Sequence, residues 1–107
     1  MILVSYGFDP HWRDPLGNLQ LTTEGYRKLI ESLTSWADEN CQGRIGLFLE
    51  GGYDLEAARD CSLAVVAALL GDISPGRSDE AVISSQYGES STFLSILEQA
   101  KQLWDLE

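Results

Sequence analysis

At 107 residues the chain is long enough for one small domain, and its 44% apolar and 22% charged content is that of a globular protein rather than a disordered tail. Seven Lys+Arg against 17 Asp+Glu give a formal charge of −10. Such a surface repels phosphate backbones and anionic lipid, which argues against nucleic-acid and membrane roles, and it favours cationic ligands such as a lysine side chain or a polyamine.

Ile2, Leu3 and Val4 follow one another without polar alternation, the pattern of a short, fully buried strand. Residues 6–21 then form a loop rich in turn formers: Gly7, Asp9, Pro10, Asp14, Pro15, Gly17 and Asn18. Thr22 or Thr23 can cap the helix that follows, with Glu24 in its first turn complementing the macrodipole. Tyr26, Leu29, Ile30, Leu33, Trp36 and Ala37 recur at helical spacing as one apolar stripe, and the helix is expected to run out near Asn40, with Gly43 in the connection. Residues 45–49 are a second apolar run, read as another buried strand, ending in Glu50-Gly51-Gly52-Tyr53. Strand, helix and strand in this order predict parallel strands. Residues 55–70 form a second helix, apolar on nearly all sides, with Gly71 as a natural stop. A polar connection with Pro75 and Gly76 leads to a last amphipathic helix from about Ser91, with Phe93, Ile96, Leu97, Ala100, Leu103 and Trp104 on its apolar side.

Two parallel strands cannot make an independent sheet, because a parallel sheet is stable only with both faces covered. The second strand and second helix are more apolar than this inventory can hide. The chain therefore reads as part of a larger doubly wound α/β domain. Cys41 and Cys61 make neither a metal-type pair nor a disulfide framework. The opening MILVSY lacks the length and the basic residues of a secretory leader. A cytoplasmic, reducing setting is expected.

Three features carry chemistry: the loop GFDPHWRDPLGNLQLT, the strand exit LEGGYDL, and the spacing between them. In parallel α/β proteins the loops leaving the carboxyl ends of strands hold ligands and metals, and Asp9 and Tyr53 both fall in such loops. Singly they are ordinary. An aspartate after a strand is commonly an Asx-turn or cap residue, and a Gly-Gly pair marks a sharp turn or a close approach.

Together, GFD followed by DPLG, then L-T-x-x-G-Y at Leu21, Thr22, Gly25 and Tyr26, then LEGGY after the next strand, resemble the carboxyl-terminal portion of the zinc-dependent histone-deacetylase-like amidohydrolases. These include acetylpolyamine amidohydrolases and acetoin-utilisation proteins. The resemblance is strongest over residues 2–70; the whole chain, 1–107, is read as a partial domain. It implies a three-layer α/β/α parallel-sheet fold of the arginase/deacetylase type, of which this chain supplies βαβα plus a C-terminal helix.

By the same resemblance Asp9 matches a carboxylate ligand of the catalytic zinc, and Tyr53 matches the phenol that hydrogen-bonds the scissile amide carbonyl and steadies the oxyanion. Gly51 and Gly52 match the glycine turn that lets the acyl group approach the backbone, and Leu16 matches a wall of the narrow substrate tunnel. Asp14 is expected to organise its loop rather than react. Tyr6 and Pro10 depart from the family pattern, where many members have alanine.

The substrate implied is an acetylated amine, of acetyl-lysine or acetylpolyamine type. The family's Asp-x-His ligand pair and adjacent-histidine general base have no counterpart here, since His11 is the single histidine. Taken alone, the chain is expected neither to hold zinc tightly nor to hydrolyse an amide. Its expected partner is a chain supplying the N-terminal part of the domain, or a second copy of itself. The competing expectation is a non-catalytic remnant that serves as a small binding or assembly module, pairing through an exposed sheet edge.

Overall fold

The computed structural model describes residues 1–72, together with Ser95, Glu98, Gln99 and Gln102. Of the helix predicted from Ser91, the described residues Ser95, Glu98, Gln99 and Gln102 are helical, while its apolar residues Phe93, Ile96, Leu97, Ala100, Leu103 and Trp104 lie outside the described residues. The elements run β1 (Ile2–Tyr6), α1 (Thr23–Cys41), β2 (Ile45–Leu49) and α2 (Leu55–Leu69). The two strands pair in parallel, Ile2 opposite Ile45 through Tyr6 opposite Leu49. This is the α/β arrangement that the alternation of apolar runs and an amphipathic helix predicts.

Local chemistry sets the helix ends. Thr22 caps α1 by accepting from the Gly25 N–H at 2.8 Å, and Glu24 sits in the first turn. Thr23, the other cap candidate, is instead buried. Gln42, in the left-handed region at φ 56°, closes α1 by donating its N–H to the Ala37 carbonyl. Asp54 caps α2 by accepting from the Ala57 N–H at 2.7 Å. At its far end the Gly71 N–H reaches the Ala68 carbonyl and the Asp72 N–H the Ala67 carbonyl. These two bonds make a Schellman motif around Gly71, the expected stop, whose φ is +70°.

Both helices cover one face of the sheet. The core is Phe8, Tyr26, Ile30, Cys61, Val65 and Ala68, with Tyr6, Leu21, Leu33, Leu47 and Ala58 packed against it. Burial alternates along β1: Ile2, Val4 and Tyr6 are half-buried while Leu3 and Ser5 are exposed. On β2, Phe48 and Leu49 are exposed as well. The expectation of fully buried strands fails at Leu49, although it shares the helical face with Tyr6, and at Leu3, Ser5 and Phe48 because the helical layer lies on one side only among the described residues. The predicted stripe of α1 narrows for the same reason: Tyr26, Ile30 and Ala37 are buried, whereas Leu29 and Trp36 are exposed. The α2 surface behaves alike, with Ala57, Cys61, Ala64, Val65 and Ala68 inside and Leu55, Leu63, Val66 and Leu70 outside.

Candidate active site

The parallel pairing continues past the strand ends. The Glu50 N–H donates to the Tyr6 carbonyl at 2.8 Å and the Phe8 N–H to the Gly51 carbonyl at 2.7 Å. These bonds hold the loop after β1 beside the loop after β2. They are the reason that Asp9 and Tyr53, far apart in the chain, become neighbours.

Gly51 stands between them. A Cβ placed on Gly51 would lie 2.8 Å from Asp9 Oδ1 and 3.9 Å from Tyr53 Cε2. The carboxylate and the phenol ring thus flank one point above the glycine. From the other side, a Cβ on Gly7 would fall 2.2 Å from the same Asp9 oxygen. Two residues without side chains therefore clear the space for this carboxylate. At Gly52 the backbone has φ +129°, and a Cβ would meet that of Phe8 at 2.6 Å. The glycine turn expected to receive an acyl group is thus also what admits Asp9 and Phe8.

Phe8 anchors the loop. It is 1% exposed, and its ring stands edge-on to Tyr6, with centroids 5.5 Å apart, and to Tyr26, at 5.3 Å. The Tyr26 hydroxyl donates to the Gly7 carbonyl at 2.8 Å, fastening α1 to the residue two before Asp9. Burial raises the Tyr26 pKa, with the neighbouring Cys61, Asp9 and Asp14 adding to it, so the phenol keeps the proton it donates. Burial raises Tyr6 likewise, with Cys61 adding to it.

His11 is a structural residue. It is 1% exposed, its Nδ1 accepts from the Arg13 N–H at 3.2 Å, and its Nε2 lies 3.3 Å from Thr23 Oγ1. With Nδ1 accepting, the proton sits on Nε2 and is given to the threonine hydroxyl. The buried Cys61 thiol is 3.7 Å from the same oxygen. This network stitches the β1 loop to both helices, and both ring nitrogens of the histidine are engaged in it.

Asp14 is nearly buried and joins the two loops. Its Oδ1 accepts from the N–H groups of Leu16 (2.8 Å) and Gly17 (3.0 Å), and its Oδ2 from that of Tyr53 (2.7 Å). Burial pulls its pKa up, but the backbone N–H groups of Tyr53, Leu16, Gly17 and Asp54 outweigh that and hold the carboxyl below its ordinary value. Arg13 ties the same loop to the start of α2, through Asp54 at 3.5 Å and Glu56 at 2.8 Å.

Of the residues singled out from sequence, Asp9, Gly51, Gly52 and Tyr53 come together. Leu16 hangs from Asp14 beside them, and its side chain and that of Tyr53 are exposed. Sequence reasoning missed Gly7, Phe8 and Tyr26 as the scaffold of Asp9; the alternation of glycine and aromatic in Tyr6-Gly7-Phe8 was the available signal. It also missed the reach of Asp14 to Tyr53.

Among the described residues no three histidine, cysteine, aspartate or glutamate side chains converge on one point. Asp9 alone can offer one carboxylate, and three protein ligands are the usual minimum for catalytic zinc.

The profile of the histone deacetylase domain matches residues 1–69. Similar proteins include the type-2 histone deacetylase 1 of Dictyostelium discoideum, 44% identical over 72 residues, which are 67% of this chain and 5% of that protein. The chloroplastic histone deacetylase 14 of Arabidopsis thaliana is 47% identical over 72 residues, 67% of this chain and 17% of that protein. A probable deacetylase of Archaeoglobus fulgidus is 38% identical over 81 residues, 74% of this chain and 23% of that protein. The chain thus spans less than a quarter of the length of these curated relatives.

Proposed function

The chain belongs to the histone deacetylase domain family, and from that premise we propose that it is the C-terminal part of a zinc-dependent deacetylase acting on an acetylated amine of acetyl-lysine or acetylpolyamine type. The carrying observation is the meeting of the Asp9 carboxylate and the Tyr53 ring over Gly51, on two adjacent loops at the carboxyl ends of parallel strands. In this reading Asp9 contributes one carboxylate to a zinc ion whose other ligands lie on polypeptide beyond these 107 residues. The metal would supply a polarised carbonyl and an acidified water. The Tyr53 phenol donates a hydrogen bond to the amide oxygen as negative charge builds on it, and Leu16 forms one wall of the substrate channel. Gly51 and Gly52 let the acyl group lie against the backbone.

The same proposal names the partner as polypeptide carrying the rest of the domain, either continuous with this chain or separate. Leu3 and Phe48 form an exposed apolar surface on the face of the sheet away from the helices, which such a partner would cover. A cytoplasmic setting belongs to the same reading.

The test is complementation. The chain alone is expected to be inactive on an acetyl-lysine or acetylpolyamine reporter. Addition of the remaining part of a family domain is expected to restore acetate release. Asp9→Ala should abolish the restored activity, and Tyr53→Phe should lower kcat by about 100-fold or more. Unchanged activity in Tyr53→Phe would remove the oxyanion role. Failure of any complementing partner to confer activity favours the non-catalytic assembly module.

A further inference from the structure

We propose that Asp14 is the positioning residue that fixes the separation of the two substrate-facing loops, by binding the backbone of both with one carboxylate. The proposal rests on the deacetylase reading for what those loops touch, and on geometry alone for how they are held.

Of the residues expected to contact the substrate on this chain, Leu16 and Tyr53 do so through side chains, and both side chains are exposed. A free side chain can do positional work only if its backbone is held. In both cases the holding bond goes to the same carboxyl group: Leu16 N–H to Oδ1 at 2.8 Å and Tyr53 N–H to Oδ2 at 2.7 Å. The Gly17 N–H shares Oδ1 at 3.0 Å, which locks the local turn and fixes the direction of the carboxylate. Gly17 in turn lies against Asp9, since a Cβ on it would overlap the Asp9 carbonyl oxygen at 1.8 Å and stand 3.8 Å from Asp14 Oδ1. One side chain, 6% exposed, thus relates the positions of Asp9, Leu16 and Tyr53.

The chemistry demands a carboxylate at this place. Each oxygen faces backbone N–H groups, so both must be acceptors, and an ionised carboxylate is the side chain of this size that offers two. The depressed pKa agrees with that demand. Asparagine has nearly the same shape but one acceptor oxygen and one NH2 donor. Whichever way the amide is turned, a donor then faces a donor, either at Tyr53 or at Leu16 and Gly17. The substitution therefore releases one loop while leaving packing volume unchanged.

The test is site-resolved hydrogen exchange by NMR on the chain itself, comparing the unsubstituted protein with Asp14→Asn. Expected is a gain in exchange rate of about tenfold or more at Tyr53, or at Leu16 together with Gly17, with the amides of Ile30 and Val65 in the helical core unchanged. Unaltered exchange at all three loop amides overturns the proposal. A uniform gain that includes Ile30 and Val65 also overturns it, since it shows a general structural role. These results are read without substrate, so they stand whether or not the chain takes part in deacetylation. In the complemented enzyme, Asp14→Asn is expected to lower kcat by about tenfold or more, with KM changed less, because a displaced Tyr53 misses the reacting carbonyl. A kcat equal to that of the unsubstituted assembly overturns the proposal, whereas an unsubstituted assembly that hydrolyses nothing overturns the deacetylase reading instead.

Discussion

Phe8 is among the largest fully buried side chains of the described residues, and its replacement tests the claim that the Asp9 loop is held by packing rather than by its own turns. The side chain is 1% exposed and contacts two aromatic rings edge-on. Truncating a buried phenylalanine to alanine costs about 3–5 kcal/mol, from lost transfer energy and the cavity left behind. A domain near the lower end of the usual range holds only about 5 kcal/mol in total. Phe8→Ala is therefore expected to leave much of the population unfolded in water at 25 °C. Phe8→Leu keeps most of the apolar volume but loses both edge-to-face contacts, each worth about 0.5–1.5 kcal/mol. With a urea slope near 1 kcal/mol per molar, its midpoint should fall by about 1–3 M. Far-UV circular dichroism in a urea series reads both variants. A Phe8→Ala midpoint within about 0.5 M of the unsubstituted chain would refute the reasoning, since at that slope the side chain would contribute too little to hold the loop.

Gly52→Ala places a Cβ 2.6 Å from that of Phe8 at φ +129° and should cost about 2 kcal/mol or more, while Gly71→Ala, at φ +70° with nothing within 4 Å, should cost about 1 kcal/mol; thermal melts of the pair separate crowding from backbone strain. Tyr26→Phe loses the 2.8 Å bond to the Gly7 carbonyl and should cost about 1–2 kcal/mol in urea unfolding. Tyr6 and Tyr26 have pKa values raised in the fold from 10.0, so their contribution is complete below pH 10 and is lost as pH rises through the folded values. Alkaline unfolding followed by tyrosinate absorbance checks that sign. Glu24 titrates low because Arg27 hydrogen-bonds it at 2.6 and 2.8 Å, and Asp14 titrates low through its backbone donors. Their stabilisation is present above the ordinary values of 3.8 and 4.5 and is lost as pH falls, to be read as a declining urea midpoint in acid.

Most of the architecture was legible because it is written in local terms. Apolar runs at 2–4 and 45–49, the helical spacing around Tyr26 and Ile30, the cap at Thr22 and the stop at Gly71 each depend on residues near in sequence. The first strand proved longer than its apolar core: Ser5 and Tyr6 continue it, because pairing with Phe48 and Leu49 extends past the apolar run. Exposure was less legible. Leu3, Leu29, Trp36 and Phe48 look like core residues, yet whether an apolar side chain is covered depends on which layers are present, and periodicity does not report that.

The sequence by itself determined the element order, the parallel pairing and the identity of the motifs around Asp9 and Tyr53, since these follow from patterns that a chain carries residue by residue. Tertiary structure alone decided that the two motifs meet at Gly51, that His11 is bound up with Thr23 and Cys61, and that Asp14 holds Leu16 and Tyr53 together. Apart from the local turn between Asp14 and Leu16, each of those contacts joins residues from different loops or elements. Their distances are fixed only once two parallel strands bring the loops side by side and a shared core of Phe8 and Tyr26 holds them there.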